Sequence, residues 1–220
     1  MSYDGNVHGA FGQNAVCSKK ARELMQISPP TFPPWGQPLY SGVFYTADDV
    51  ERLPDDSYRY EVYQRVLIRM PGTGPEHGLI CQYIGRLLEG YWRSRGEMYR
   101  VLQNVGYDFT SPGDPPRTLM LVPDVAVTRD NVRPGPEIEQ IPPLVAIEVA
   151  SPSDYRPGME SRATFYLTHG VQEVWNVWPR SRTVDIWTAP GTVMTMNDQQ
   201  NITSVLLPGW SCPVQQCFDG

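Results

Sequence analysis

Leu144 to Ala150, within the stretch PPLVAIEVASPSD at 142–154, is an apolar run interrupted by one ionisable residue, Glu148. Its length and composition read as a buried strand. Alternate residues of a strand share a face, which groups Val145, Ile147 and Val149 on one side and Leu144, Ala146, Glu148 and Ala150 on the other. Glu148 therefore has small neighbours and space beside it. The same count in LMLVPDVAV sets Val122, Asp124 and Ala126 opposite Leu121, Pro123, Val125 and Val127. If the two strands are neighbours with these faces aligned, Asp124 and Glu148 converge, and like charges that close require a cation or a proton. The alternative is that each acid lies at a strand end in water or pairs with an arginine.

The elements around this run alternate in type. YTADDVERLPDD reads as a short helix with Thr46 as N-cap, Asp49 completing a capping box and Pro54 ending it. YRYEVYQRVLIRM reads as one or two strands. From Pro75 to Gly96, apolar residues at 80, 83, 84, 87, 88 and 91 follow helical spacing with one buried stripe. Strands are expected at about 98–109, 118–127 and 143–150. A helix is expected over 158–169, with Pro157 in its first turn and Gly170 just past its end. QEVWNVW, RTVDIWT and ITSVLL read as further strands, with Trp175, Trp178 and Trp187 in the core. This mixture predicts an α/β or α+β mixed sheet with flanking helices. Residues 1–44, with five prolines in SPPTFPPWGQP, read as a flexible Pro/Gly-rich extension, and 45–220 as the folded domain.

Composition narrows the functional classes. No apolar run approaches the roughly 20 residues of a membrane span. The N-terminus lacks the basic start and apolar middle of a secretory signal, so the expected address is cytoplasmic. Cysteines at 17, 81, 212 and 217 offer one close pair, CPVQQC, with no histidine nearby, which is a poor zinc site. Cys81 lies in the long helix and reads as a small packed hydrophobe. A net charge of −6 argues against nonspecific coating of nucleic acid. Residues 59–100 nevertheless hold seven Arg against four acids, so a phosphate-facing surface belongs there. Lysine occurs only at Lys19 and Lys20; every other basic residue is arginine.

Among single residues, His77 stands at the start of the long helix and either lines a cleft or packs there. His169 and His8 receive no role. Ser151 and Ser153 flank Pro152 in a pattern that suits turn chemistry, and Asp154 suits capping of the second helix.

Glu61 in YEV, EHG at 76–78, PDV at 123–125, EVASPSD at 148–154 and FYLTHGVQEVWNV at 165–177 occur in an order that resembles the Uma-type family of restriction-endonuclease-like proteins, within the PD-(D/E)XK nuclease superfamily. The likeness runs from about Tyr45 to Pro190. It implies a restriction-endonuclease-like core and metal-dependent hydrolysis of phosphodiester bonds in DNA, with Mg²⁺, or Mn²⁺ in its place, as the ion. It further implies that Asp124, Glu148 and Glu61 are the metal-binding acids. The superfamily's lysine would fall at Ala150, or, in families where it has moved to the following helix, at Arg162. Arginine keeps the charge and grips phosphate, but it cannot release a proton near neutral pH. Relatives have an Asp-Gly or Asn-Gly turn where this chain has Gln64 and Arg65. Two readings follow: an endonuclease using Arg162 as a phosphate or transition-state contact, or a catalytically impaired member that binds DNA or a protein, with Arg162 neutralising the acids. A homodimer is left open.

Overall fold

The computed structural model describes residues 45–53, 58–70, 72–95, 99–114, 117–129 and 138–220. The expected extension over 1–44 and the Pro54 helix stop lie outside the described residues. Among the described residues, no helix is long and apolar enough to cross a membrane.

The chain opens on α1 (Ala47–Val50), closed by the expected capping box, in which the Thr46 N–H donates to Asp49 Oδ2 at 2.8 Å. The next segment forms a hairpin, β1 (Arg59–Tyr63) and β2 (Val66–Met70), turning on Gln64 and Arg65. Both turn residues have positive φ, 48° and 67°. A two-residue turn with that geometry matches the twist of the flanking strands, and glycine or asparagine normally supplies it. Next comes α2 (Pro75–Arg95), which buries Ile80, Ile84, Leu88 and Trp92 along one stripe, with Cys81 beside them.

Two expected strands each break in two. The first becomes β3 (Tyr99–Gln103) and β4 (Tyr107–Asp108), and the second becomes β5 (Met120–Leu121) and β6 (Val125–Arg129). The reason is topological. β3 pairs with β6 in a six-stranded sheet, whereas β4 pairs with β5 in a four-stranded one, so one antiparallel ribbon passes from sheet to sheet. It bends where Asn104, at φ 55°, donates its N–H to the Asp124 carbonyl at 3.3 Å. Pro123, which has no N–H to give a ladder, sits in the same bend.

The chain then runs through β7 (Val145–Val149), α3 (Arg156–Thr168), β8 (Glu173–Trp178), β9 (Thr183–Ala189), β10 (Thr192–Asn197), β11 (Asn201–Thr203), β12 (Ser211–Pro213) and α4 (Gln216–Asp219). The large sheet has the order β10-β9-β8-β7-β6-β3. Its one parallel pair, β7 with β8, is joined by the crossover helix α3. The small sheet has the order β2-β1-β5-β4, and β11 pairs with β12. ITSVLL is strand only over its first residues, and β10 and β12 go beyond the sequence reading; β10 is mostly exposed and lacks a clean alternation.

Two helices cover the large sheet. α2 packs on Val125, Val127, Val145, Ile147 and Val149, and α3 lays Ala163, Phe165 and Tyr166 over Ala126, Ala146, Val174 and Trp187. The alternation read from β7 holds except at Leu144, which precedes the strand and packs on the α2 side. Trp175, Trp178 and Trp187 are all buried. The expected mixed sheet with flanking helices is the architecture of the chain.

Candidate active site

The register of β6 against β7 pairs Val125 with Ile147 and Ala126 with Ala146. Asp124 immediately precedes β6 and Glu148 lies one residue past Ile147 on β7, so the register carries the two acids toward the same end of the strand pair. They line one pocket of about 480 Å³ together with Arg162, His77, Arg59 and Arg69.

Asp124 is 3% exposed and fully engaged. Its Oδ2 accepts from the Val149 N–H at 2.9 Å and contacts His77 Nε2 at 3.0 Å, while Oδ1 accepts from Arg59 NH1 at 2.7 Å. Burial by itself would raise its pKa; these partners outweigh that and hold it below the usual carboxylate range. His77 shifts the other way for the same reason. Burial disfavours its charged form, but contact with Asp124 wins and raises its pKa. Cys81, one helical turn on, approaches His77 Nδ1 at 3.5 Å.

Glu148 has a different surrounding. Its Oε1 accepts from Arg162 Nε at 2.8 Å and from the Tyr166 hydroxyl at 2.7 Å. Among the described residues no donor reaches Oε2. Burial pushes the Glu148 carboxyl up to about 7 in spite of Arg162. Arg162 and Tyr166 are four apart on α3, so both aim at β7 from one helix face.

Arg162 also reaches the small sheet. NH1 donates to Glu61 Oε2 at 2.8 Å and NH2 to Glu61 Oε1 at 2.5 Å, a two-pronged pair. Burial disfavours the charged guanidinium, but the two glutamates outweigh it and raise the pKa further, so Arg162 stays charged. Glu61 is 0% exposed, and its Oε1 accepts from the Val122 N–H at 3.0 Å.

The structure thus brings Asp124, Glu148, Arg162 and His77 to one pocket and places Glu61 behind Arg162, off the pocket wall. Ser151 and Asp154 make a turn, with the Ser151 N–H and hydroxyl both donating to Asp154 Oδ2 at 2.7 Å. His169 bonds to the Phe165 carbonyl and stacks on the Phe165 ring, outside the pocket. Arg59 and Tyr166 are the site residues that sequence reasoning missed. Each had a signal: Arg59 shares a strand face with Glu61, and Tyr166 shares a helix face with Arg162.

Two donor sets could hold a metal. Ligand atoms of His77, Cys81 and Asp124 lie within 4.8 Å of one another. Burial pushes the Cys81 thiol up to about 12 in the ion-free protein, and Cys81 does not line the pocket, so this set reaches the open space only in part. Asp124 and Glu148 both line the pocket; Glu148 Oε2 is the oxygen without a donor, and Asp124 offers an oxygen where one of its present partners yields it. That set suits a hard divalent cation.

A mixed sheet flanked by helices, with its one parallel pair joined by a crossover helix, is an architecture of the restriction-endonuclease-like class. Residues 47–215 match the Uma2 family, described as "Putative restriction endonuclease", and the chain belongs to that family. A crystal structure from Anabaena variabilis ATCC 29413, described as "a putative nuclease belonging to DUF820", matches with a TM-score of 0.65 at 19% identity. The match covers 79% of this chain and 97% of that one. At that identity the likeness shows the fold. No curated protein matches the chain. Membership of a nuclease family implies a nucleic-acid substrate and a divalent metal.

Proposed function

We propose that the protein is a divalent-metal-dependent DNA endonuclease that hydrolyses phosphodiester bonds, with Asp124 and Glu148 as ligands of Mg²⁺, or of Mn²⁺ in its place. The observation that carries this reading is the pair of carboxylates, one just before β6 and one on β7, that line one pocket. A bound divalent ion supplies Lewis-acid polarisation of the phosphodiester and activation of the attacking water. The chain's own residues do the positioning. Arg162 and Tyr166 fix one oxygen of Glu148 and leave the other toward the pocket. His77 and the Val149 N–H orient Asp124. Arg69, on the same pocket wall, adds positive charge for a phosphate. Arg162 cannot shuttle a proton, and its bonds to Glu61 and Glu148 suit it to act as a clamp rather than an acid.

Nicking of supercoiled plasmid tests this reading. Cleavage that requires Mg²⁺ or Mn²⁺ and stops with Glu148→Ala is the expected result; equal cleavage by both proteins removes Glu148 from the mechanism.

A second reading is favoured by the three bonds that Arg162 gives to acids. With its charge spent on Glu61 and Glu148, the protein would bind DNA or a partner protein without cutting. Under that reading wild type retains DNA and leaves it intact, and Arg162→Lys gains cleavage.

A further inference from the structure

Arg59 NH1 stands 2.7 Å from Asp124 Oδ1 and 2.8 Å from Asn104 Oδ1, and its side chain is 25% exposed. It comes from β1 in the small sheet, whereas Asp124 immediately precedes β6 of the large one. Asp124 Oδ2 already serves two groups, the Val149 N–H and His77, so Oδ1 is the oxygen with capacity for an ion. That oxygen is the one Arg59 holds. A Mg²⁺ ion binds a carboxylate oxygen at about 2.1 Å, which sets it within hydrogen-bonding range of any group bonded to the same oxygen. A guanidinium and a divalent cation that close repel strongly in a site shielded from water. Partial exposure gives Arg59 somewhere to go, and Asn104 gives it a second partner.

We infer that Arg59 is a built-in counter-cation of Asp124: it neutralises the carboxylate in the ion-free protein and yields Oδ1 when a divalent ion binds. The inference rests on Asp124 being an ion ligand. It makes Arg59 a positioning residue that sets how tightly the site takes its metal.

Calorimetric titration of the full chain with Mn²⁺ tests it, comparing wild type with Arg59→Gln and Arg69→Gln. Arg69 lines the same pocket and stacks on Tyr58, so its loss removes a charge without touching Asp124. Arg59→Gln is expected to lower the Kd for Mn²⁺ by at least about tenfold, the worth of one charged hydrogen bond. Arg69→Gln is expected to change it by less than about threefold, as a screened, noncontacting charge should. A second measurement needs no variant. In the nitrogen-15 spectrum of wild type, the Arg59 side-chain Nε–H signal is expected to shift on saturation with Mg²⁺, while that of Arg182, which pairs with Asp219 away from the pocket, stays in place. Equal tightening in both variants overturns the inference, as does Mn²⁺ binding by wild type that Arg59→Gln leaves unchanged; either result leaves the ion site standing. Absence of Mn²⁺ binding by all three proteins overturns the ion site and the inference together.

Discussion

Arg162 on α3 and Glu61 on β1, 101 residues apart in the chain, meet as a two-pronged ion pair that water does not reach, with side chains 3% and 0% exposed. Breaking such a pair from one side is expensive, because the remaining charge stays buried. Arg162→Met strands two glutamates and is expected to destabilise the fold by about 3–5 kcal/mol in urea titrations. Arg162→Lys keeps the charge but not the fork, and is expected to cost less. Adding Glu61→Gln to Arg162→Met should recover part of the loss, since one stranded charge disappears.

Asp124→Asn and Glu148→Gln each remove one of the two acids proposed as ion ligands while keeping shape. Each is expected to lower metal-dependent nicking by more than about a hundredfold, given the several kcal/mol that an ion contributes to phosphoryl chemistry. Calorimetry should show the loss of Mn²⁺ binding alongside it. Addition of a chelator to wild type should abolish nicking in the same way.

Glu173 gives a pH dependence that lies outside the pocket. It is buried on β8, and burial raises its pKa although Trp175 Nε1 at 2.6 Å and the Ser204 hydroxyl at 3.0 Å both donate to it. An acid with a raised folded-state pKa contributes its stability in full below its unfolded pKa, and the contribution fades as pH rises through the folded pKa. Glu173→Gln is uncharged throughout. The Tm of wild type relative to Glu173→Gln is therefore expected to fall as pH rises from about 4 to neutrality. A constant difference across that range would refute the assignment.

The turn at Gln64 and Arg65 places a left-handed conformation on two residues that rarely adopt it. Gln64 is exposed, so Gln64→Gly relieves the conformation with little loss of packing. It is expected to raise stability by about 1 kcal/mol, read as a higher Tm.

Alternation made the two acids legible. Asp124 and Glu148 each stood among small apolar residues on their face, and their coming to one pocket had to be supplied by the fold. Family resemblance pointed to Glu61 and Arg162 as site positions, and pairing of Arg162 with the acids was one of the two readings, but nothing told that Glu61 would take the two-pronged contact. Their meeting depends on a tertiary approach between a small sheet and a crossover helix, and local periodicity carries no information about that. The long helix was readable because its buried stripe is continuous. The split of two expected strands was not, because β-propensity is the same whether a ribbon stays in one sheet or passes to another. Pro123 was the visible sign of the bend. β10 escaped for a simpler reason: at an open edge, with most of its residues in water, it has little need of a buried face.

The ribbon of β3–β4 and β5–β6 belongs to both sheets, with its bend at Asn104 and Asp124. Separate melting of the small sheet would have to tear a continuous hairpin and expose the buried ion pair of Arg162 at the same moment. Cooperativity is thus a property of the site itself: the junction that positions the acids also couples the two sheets into a single unfolding unit, and heating is expected to give one transition by every probe.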